Sequence, residues 1–217
     1  MKQRTSPTPD GTSASASASA TASSSVSQSW RAGRVFRRKD ISSQSPSVDR
    51  ELSRRLQTGQ VCKAARGLYY VPKQTPFGPV PPEPSRLVAK FLDDKQFLVF
   101  NPSAYNTLGL GTTQLYNRTT VYNHKRHGTF TLAGFEFDFR QKRHFPQAAK
   151  VTREFLLVDM LNNIDTLAED SATVLQRVQT KLATFDAAQL QAAARQYGTE
   201  RTRQQVTALL TALPAQA

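Results

Sequence analysis

The chain has 217 residues, a formal net charge of +13 and a pI of about 10.3, so we expect one large or two small domains and a polyanionic partner. A single cysteine, Cys62, excludes an internal disulfide and fits a reducing compartment. No apolar run approaches the ~18 residues of a membrane span, and no hydrophobic stretch follows the first basic residues. These features predict a cytoplasmic protein.

The positive charge is concentrated in one part of the chain. Residues 28–75 carry eleven basic and three acidic residues, a net charge of +8, whereas residues 151–217 carry six and seven, a net charge of −1. Residues 76–150 carry ten and five, a net charge of +5. A concentration of this kind indicates a local nucleic-acid-binding surface.

The amino-terminal segment, residues 1–26, is rich in Ser, Ala and Thr. It contains too little apolar surface to offset the entropy lost on ordering. We therefore predict a disordered leader.

Residues 45–72 read as a basic helix followed by a hairpin. Ser45 can cap the helix, Pro46 fits its first turn, and an apolar stripe follows at four-residue spacing (Val48, Leu52, Leu56). Gly59 suits a left-handed helix stop. Two β-prone runs, 61–64 and 68–71, flank a turn at Ala65-Arg66-Gly67, and Pro72 ends the second run.

The residues upstream complete this unit. Trp30, Val35, Phe36 and Ile41 supply a small core. Phe36 and Ile41 are five residues apart, which we interpret as a short second helix that carries both after a turn near Gly33. A first helix is expected in roughly residues 20–32. The order predicts a winged helix-turn-helix DNA-binding domain over residues 27–73; an ordinary helix and hairpin with a solvated basic face is the alternative.

Arginine reads guanine in a bidentate manner, so basic side chains that face away from the apolar stripe are the candidate groove contacts. Those on the wing would contact phosphate or the minor groove. The candidate DNA-binding residues are Arg38, Lys39, Ser47, Arg50, Arg54, Arg55, Lys63 and Arg66. We expect Arg54→Ala and Arg66→Ala each to weaken operator binding.

The rest of the chain predicts a second domain of the α+β class. Residues 74–85 are rich in proline and predict an extended linker. Residues 86–217 then predict a mixed domain that ends in helices, with Ala133-Gly134 as a hairpin turn and alternating Phe135, Phe137 and Phe139 as the buried side of a strand.

Signals for catalysis or metal binding are weak. His124 and His127 have no third ligand at useful spacing, which favours a basic loop over a metal site. Glu136 and Asp138 share a strand face and are followed by Lys142, as in some nucleases, but the alternation with phenylalanine explains them as the solvent-facing side of the strand. We expect no catalytic residue, no metal and no cofactor, and thus a protein that is not an enzyme.

Four segments of the chain have a distinctive sequence: GRVFRRKDI (33–41), VDRELSRRLQTGQV (48–61), ARGLYYVP (65–72) and NPSAYNTLGLGTTQ (101–114). Together they resemble the AbiEi family of type IV antitoxins, which are also transcriptional autoregulators. The resemblance covers roughly residues 28–145, and the Arg-Gly-Leu-Tyr wing followed by Pro is its most distinctive piece. It implies a winged-helix domain and a carboxy-terminal antitoxin domain.

The resemblance also implies a function and partners. The protein would bind inverted repeats in its own promoter, repress its operon, and counteract a nucleotidyltransferase-like toxin encoded next door, without a need for stable contact with that toxin. A plain winged-helix regulator without a toxin partner is the alternative, and a nuclease is a third possibility. No residue of the second domain is assigned a role by the resemblance.

Overall fold

The computed structural model describes residues 30–42, 47–110, 118–167 and 170–212. The chain divides between Glu83 and Pro84 into two compact units, here called unit 1 and unit 2. Both units combine helices with β-sheet, so the mixed α/β class predicted from the sequence is confirmed. None of the helices in the described ranges is long and apolar enough to cross a membrane.

Within its described residues, unit 1 contains two helices, a three-stranded sheet and a separate hairpin. Its elements are β1 (Val35–Arg37), α1 (Arg38–Ser42), α2 (Val48–Gln57), β2 (Cys62–Ala65), β3 (Leu68–Tyr70), β4 (Lys73–Thr75) and β5 (Gly78–Val80). The three-stranded sheet is antiparallel with the order β1-β3-β2. The turn between β2 and β3 contains Gly67 at φ +72°, which confirms the predicted glycine turn.

The core of unit 1 lies between helix α2 and the sheet. It consists of Phe36, Ile41, Val48, Leu52 and Val61, against which Trp30, Tyr69 and Val71 pack. The Trp30 and Phe36 rings meet edge to face at 5.6 Å, and Tyr69 stacks on the other side of Phe36 at 5.9 Å. Burial of these side chains anchors the exposed parts of α2 and of the β2–β3 hairpin.

Two details of the predicted core are wrong. Phe36 lies on strand β1 opposite Tyr69 and not on a helix with Ile41; positions five apart point about 140° apart on a helix, so the pair could not share a helix face. Leu56 is 36% exposed, because a four-residue spacing drifts by about 40° each time and Leu56 has turned away from Val48.

The predicted first helix lies almost wholly outside the described residues, as do the leader (1–26), Ser45 and Pro46. Helix α2 begins at Val48 with Ser47 at its N-cap. Gly59 follows the C-cap Thr58 with φ +70°, and this left-handed stop was predicted correctly.

The proline-rich stretch is not simply an extended spacer. Strands β4 and β5 pair antiparallel, with Lys73 opposite Val80 and Gln74 opposite Pro79. A two-stranded ribbon has free edges on both sides, so Pro79 can take part without its missing amide leaving a partner unpaired. The hairpin carries Phe77 at its tip, 99% exposed.

The described part of unit 2 contains one sheet and a helical segment. Its elements are α3 (Pro84–Leu92), β6 (Phe97–Phe100), a 3-10 helix (Pro102–Leu108), β7 (Thr119–Asn123), β8 (Gly128–Leu132), β9 (Phe135–Gln141), α4 (Arg153–Asn162), α5 (Ser171–Lys181), α6 (Ala187–Tyr197) and α7 (Glu200–Thr211). The sheet has the order β6-β7-β9-β8. Strands β7 and β9 run parallel, and the other pairs are antiparallel.

The two faces of this sheet differ in chemistry. Phe137 and Phe139 are fully buried on one face, where Phe139 packs against Phe91 of α3. The opposite face carries Tyr122, which belongs with helix α4 to the main core of unit 2. The predicted burial of Phe137 and Phe139 is confirmed, whereas Phe135 is 41% exposed at the end of the sheet.

Candidate functional site

The outward face of helix α2 carries basic side chains. Arg50 and Arg54 are exposed and lie four residues apart, with Gln57 one turn further on, so all three share one side of the helix. The opposite side is held in the core by Val48 and Leu52. The helix therefore presents a polar, cationic face that the fold itself does not use for packing.

Two candidate arginines are engaged in ion pairs on the surface. Arg38 binds the Asp49 carboxylate through two hydrogen bonds of 2.6 Å, and this pairing lowers the pKa of Asp49. Arg54 binds Glu51 at 3.0 and 3.1 Å, and the pKa of Glu51 falls because of that pairing and of Arg55. Exposed pairs of this kind are weak, so both arginines can exchange a carboxylate for a phosphate.

Arg55 has a different environment from the other candidates. Its side chain is only 23% exposed and donates to Glu51 at 2.6 Å and to Gln60 at 3.0 Å. Its guanidinium lies 4.4 Å from the centre of the Trp30 ring. These contacts support the fold of unit 1, so the predicted DNA contact from Arg55 is the least favoured of the eight.

Arg50, Lys63 and Arg66 are exposed and have no ion pair within the described part of the chain. Arg50 lies on α2, Lys63 on β2, and Arg66 in the turn between β2 and β3. No Asp or Glu occurs in the sequence between Glu51 and Glu83. The helix end, the hairpin and the turn thus form a stretch without acidic residues to repel a polyanion.

Lys39 and Ser47, the remaining candidates, are exposed at α1 and at the start of α2.

The basic loop between β7 and β8 is engaged with its own unit. His124 packs against the Phe145 ring at 4.8 Å, and Arg126 lies 4.6 Å from the centre of the Phe91 ring. Lys125 pairs with Asp94 at 3.1 Å. Within the described ranges, no three His, Cys, Asp or Glu residues gather as a metal site would require.

A polar cleft of about 260 Å³ opens on unit 2. Because β7 and β9 are parallel with Thr120 opposite Asp138 and Tyr122 opposite Arg140, all four side chains point to the same face of the sheet. Residues of the 3-10 helix and of the segment after α4 complete the cleft. The additional lining residues are Pro102, Tyr105, Arg118, Asn163, Thr166 and Leu167.

Asp159 of helix α4 lies beneath this cleft, 1% exposed. Its carboxylate accepts hydrogen bonds from the Tyr105 hydroxyl at 2.7 Å, from the Tyr122 hydroxyl at 2.8 and 2.9 Å, and from the Lys142 ammonium at 2.9 Å. The ammonium also lies 3.9 Å from the centre of the Tyr122 ring. The buried charge is thus both neutralised and hydrogen-bonded, as a charge in an apolar core must be.

The same network perturbs the two tyrosines. Burial, and then the adjacent Asp159 carboxylate, raise the pKa of Tyr105 and that of Tyr122 well above the usual range. Both phenols therefore remain protonated donors at neutral pH. Asn163 extends the network, since its amide donates to the Tyr122 hydroxyl at 3.3 Å and its oxygen accepts from Arg140 at 2.6 Å.

The carboxylates considered for a nuclease each face a cation. Glu136 pairs with Arg118 at 2.8 Å, and Asp138 pairs with Arg140 at 2.8 Å. Lys142, the third member of that set, is bound to Asp159 instead. Glu136 is half exposed, whereas Asp138 is largely covered and lines the cleft. The face of this strand that was predicted to be exposed to solvent is therefore partly a wall of the cleft.

Sequence reasoning missed the Asp159 network. One signal was present: Asp159 is the only charged residue in the run Phe155–Leu161, which is otherwise apolar and entirely buried. A charge inside such a run indicates a buried partner. The identity of the partners was out of reach, because Tyr105 and Tyr122 lie 54 and 37 residues away in the sequence.

No family model and no curated protein matches this chain. Among solved structures, the chain is similar to the RV2827C protein from Mycobacterium tuberculosis, with a TM-score of 0.49 and 14% sequence identity. The match covers 89% of this chain and 76% of that chain.

Proposed function

We propose that unit 1 is a winged helix-turn-helix that binds the promoter of its own operon, and that the whole chain is an autorepressing antitoxin of a type IV toxin-antitoxin system. The order β1-α1-α2-β2-β3, with β1 paired to β3 at one edge of the sheet, supports the winged-helix assignment. In this proposal α2 enters the major groove and the β2–β3 hairpin is the wing.

The observation that carries DNA binding is the placement of three exposed cations that form no ion pair in the part of the chain that the structure describes. Arg50 is on the outward face of α2, and Lys63 and Arg66 are on the hairpin. In a winged-helix domain the recognition helix contacts base edges and the wing contacts backbone phosphate, so Arg50 would contact bases and Lys63 and Arg66 would contact phosphate. Arg38 and Arg54 can also bind phosphate if they give up their weak surface ion pairs with Asp49 and Glu51.

The antitoxin part of the proposal is supported by the segment resemblance to AbiEi proteins, including residues 101–114 in unit 2. The partners are then double-stranded DNA with inverted repeats and a nucleotidyltransferase-like toxin from the adjacent gene. The plain regulator without a toxin partner remains the second candidate, since the basic surface of unit 1 supports both equally.

The first test is binding of the purified chain to its own upstream promoter and to a scrambled duplex across a salt series. Specific recognition predicts promoter binding at least about 10³-fold tighter than scrambled binding. Equal affinities that fall together with salt would reduce unit 1 to a non-specific anchor.

The second test separates the antitoxin from the plain regulator. The neighbouring open reading frame is expressed alone and with this chain, and growth is measured. Rescue of growth by the chain supports the antitoxin proposal. An adjacent gene product that does not impair growth, or whose toxicity the chain leaves unchanged, would favour the plain regulator.

A further inference from the structure

The cleft of unit 2 has an unusual surplus of hydrogen-bond donors. Arg140 uses its Nε on Asp138 and one terminal nitrogen on Asn163, which leaves three of its five N–H groups for other partners. Arg118, 60% exposed, has a single pairing with Glu136 through Nε. Surface pairs of this type yield readily to a better anion.

Thr120 is the second observation. It is 3% exposed and lines the cleft. Its hydroxyl has no hydrogen-bond partner in the part of the chain that the structure describes. Because Thr120 lines the cleft, this hydroxyl can donate to a group bound there.

The floor of the cleft does not compete for such a group. The Tyr105 and Tyr122 hydroxyls donate to Asp159, and Lys142 balances its charge. The charged lining residues are Arg118, Arg140 and Asp138, and Glu136 pairs with Arg118 beside them. Recognition is therefore set by guanidinium N–H groups and a hydroxyl, the donor set that suits a phosphate.

We propose that this cleft binds the phosphate of a small phosphorylated ligand, held by Arg118, Arg140 and the Thr120 hydroxyl. The volume of about 260 Å³ equals roughly eight or nine waters of liquid, enough for a phosphate and a sugar-sized group. Asp138 faces the same space and accepts from a ligand hydroxyl. This site is separate from the proposed DNA-binding surface and lies wholly within unit 2.

The experiment uses the full chain and inorganic phosphate as the probe, titrated at constant ionic strength and followed by calorimetry and by amide NMR shifts. The variants are Arg118→Gln, Thr120→Val and, as a matched control, Arg195→Gln on the exposed surface of α6. Valine keeps the shape of threonine on a strand, and Arg118 is mostly exposed, so both variants are expected to fold.

The expected result is saturable binding of one phosphate per chain, weakened roughly tenfold by Arg118→Gln and by Thr120→Val, the effect of losing a hydrogen bond to a charged group. Arg195→Gln should bind as the parent does. Absence of saturable binding in the parent chain, or equal binding in all variants, would overturn the proposal. No DNA is present, so such a failure leaves the proposal for unit 1 untouched.

Two further arms identify the source of the phosphate. A dinucleotide with a 5′-phosphate is compared with its 5′-hydroxyl counterpart, and ribose 5-phosphate is compared with ribose. Preference for the phosphorylated dinucleotide supports a nucleic-acid end as the natural ligand, and preference for ribose 5-phosphate supports a free metabolite. In either case the proposal requires that the Arg118→Gln variant no longer prefers the phosphorylated form of either ligand to its unphosphorylated counterpart.

Discussion

The guanidinium of Arg55 lies 4.4 Å from the centre of the Trp30 ring, while its Nε donates to Glu51 at 2.6 Å. This arrangement joins Trp30, the residue that begins the described part of unit 1, to the last turn of helix α2. A side chain that looks like a DNA contact in the sequence is therefore a packing element in the fold. The distinction between these roles can be measured.

Arg55→Ala should lower the free energy of unfolding by about 2 kcal/mol, because it removes a partly desolvated cation–π contact and charge-assisted hydrogen bonds. Arg54→Ala, the matched control, should change it by no more than about 0.5 kcal/mol, since Arg54 is 66% exposed. Denaturant unfolding followed by Trp30 fluorescence measures both. Equal losses in the two variants would contradict the assigned roles.

Arg50 and Lys63 should affect DNA binding in different ways. Arg50→Ala should cost about 1–3 kcal/mol of promoter affinity and reduce discrimination against the scrambled duplex, as expected of a base contact. Lys63→Ala should weaken both duplexes alike and reduce the slope of log affinity against log salt by about one. Fluorescence anisotropy titrations at several salt concentrations would measure both effects. The same uniform loss for both variants would argue against a reading role for α2.

Asp159→Asn should destabilise unit 2 by about 3–5 kcal/mol. The change removes the charge that balances Lys142 and leaves an amide facing the Tyr105 and Tyr122 hydroxyls, so an ammonium whose side chain is only 26% exposed loses its partner. Asp165→Asn provides the control, because Asp165 is 64% exposed in its pair with Arg201. Thermal unfolding should show a large decrease for the first variant and almost none for the second.

The raised tyrosine pKa values predict a loss of stability at alkaline pH. In the unfolded chain the Tyr105 phenol ionises near pH 10, whereas in the folded chain its pKa is higher. The contribution is therefore fully present below pH 10 and is lost as the pH rises above it. The unfolding free energy of Tyr105→Phe, measured between pH 8 and pH 11, should fall less steeply than that of the parent chain. Parallel curves would show that Tyr105 does not contribute to this loss.

The turn between β8 and β9 offers a stabilising change. Ala133 adopts φ +52° and Gly134 φ +85°, which fits the left-handed turn of a two-residue hairpin. Alanine is strained there, so Ala133→Asn should raise the free energy of unfolding by roughly 0.5–1 kcal/mol. Gly134→Ala should have the opposite effect, although nothing lies within 4 Å of the added carbon. A gain in both variants would contradict the backbone explanation.

Local signals in the sequence were sufficient for much of unit 1. The helix stop at Gly59, the turn at Gly67 and the short runs around it depend on a few neighbouring residues, and the structure contains them as predicted. The hairpin at 73–80 was missed because proline composition outweighed a pairing that only the folded ribbon provides. The local sequence pattern does not predict which strands will pair, because strand formation depends on cross-strand contacts.

Prediction was poorest where side chains meet across large sequence separations. The candidate DNA-binding residues could be named from charge and helix position. The sequence did not reveal that Arg55 already binds other side chains of unit 1, because its contacts with Trp30, Glu51 and Gln60 arise only in the folded chain. The cleft of unit 2 was not anticipated at all. Its walls come from β7, β9 and the segment after α4, and only the parallel register of β7 and β9 aligns them.

That register has a consequence for how unit 2 is made. The hairpin β8–β9 forms from neighbouring residues, but β9 must then insert beside β7, and Asp159 follows 18 residues after the end of β9 at Gln141. Until that residue has left the ribosome, the Tyr105 and Tyr122 hydroxyls lack their acceptor. Contacts of such high sequence separation are slow to form, because the entropy of loop closure is lost before they are made. A chain that stops before helix α4 lacks Asp159 and the lining residues Asn163, Thr166 and Leu167, and therefore one wall of the cleft.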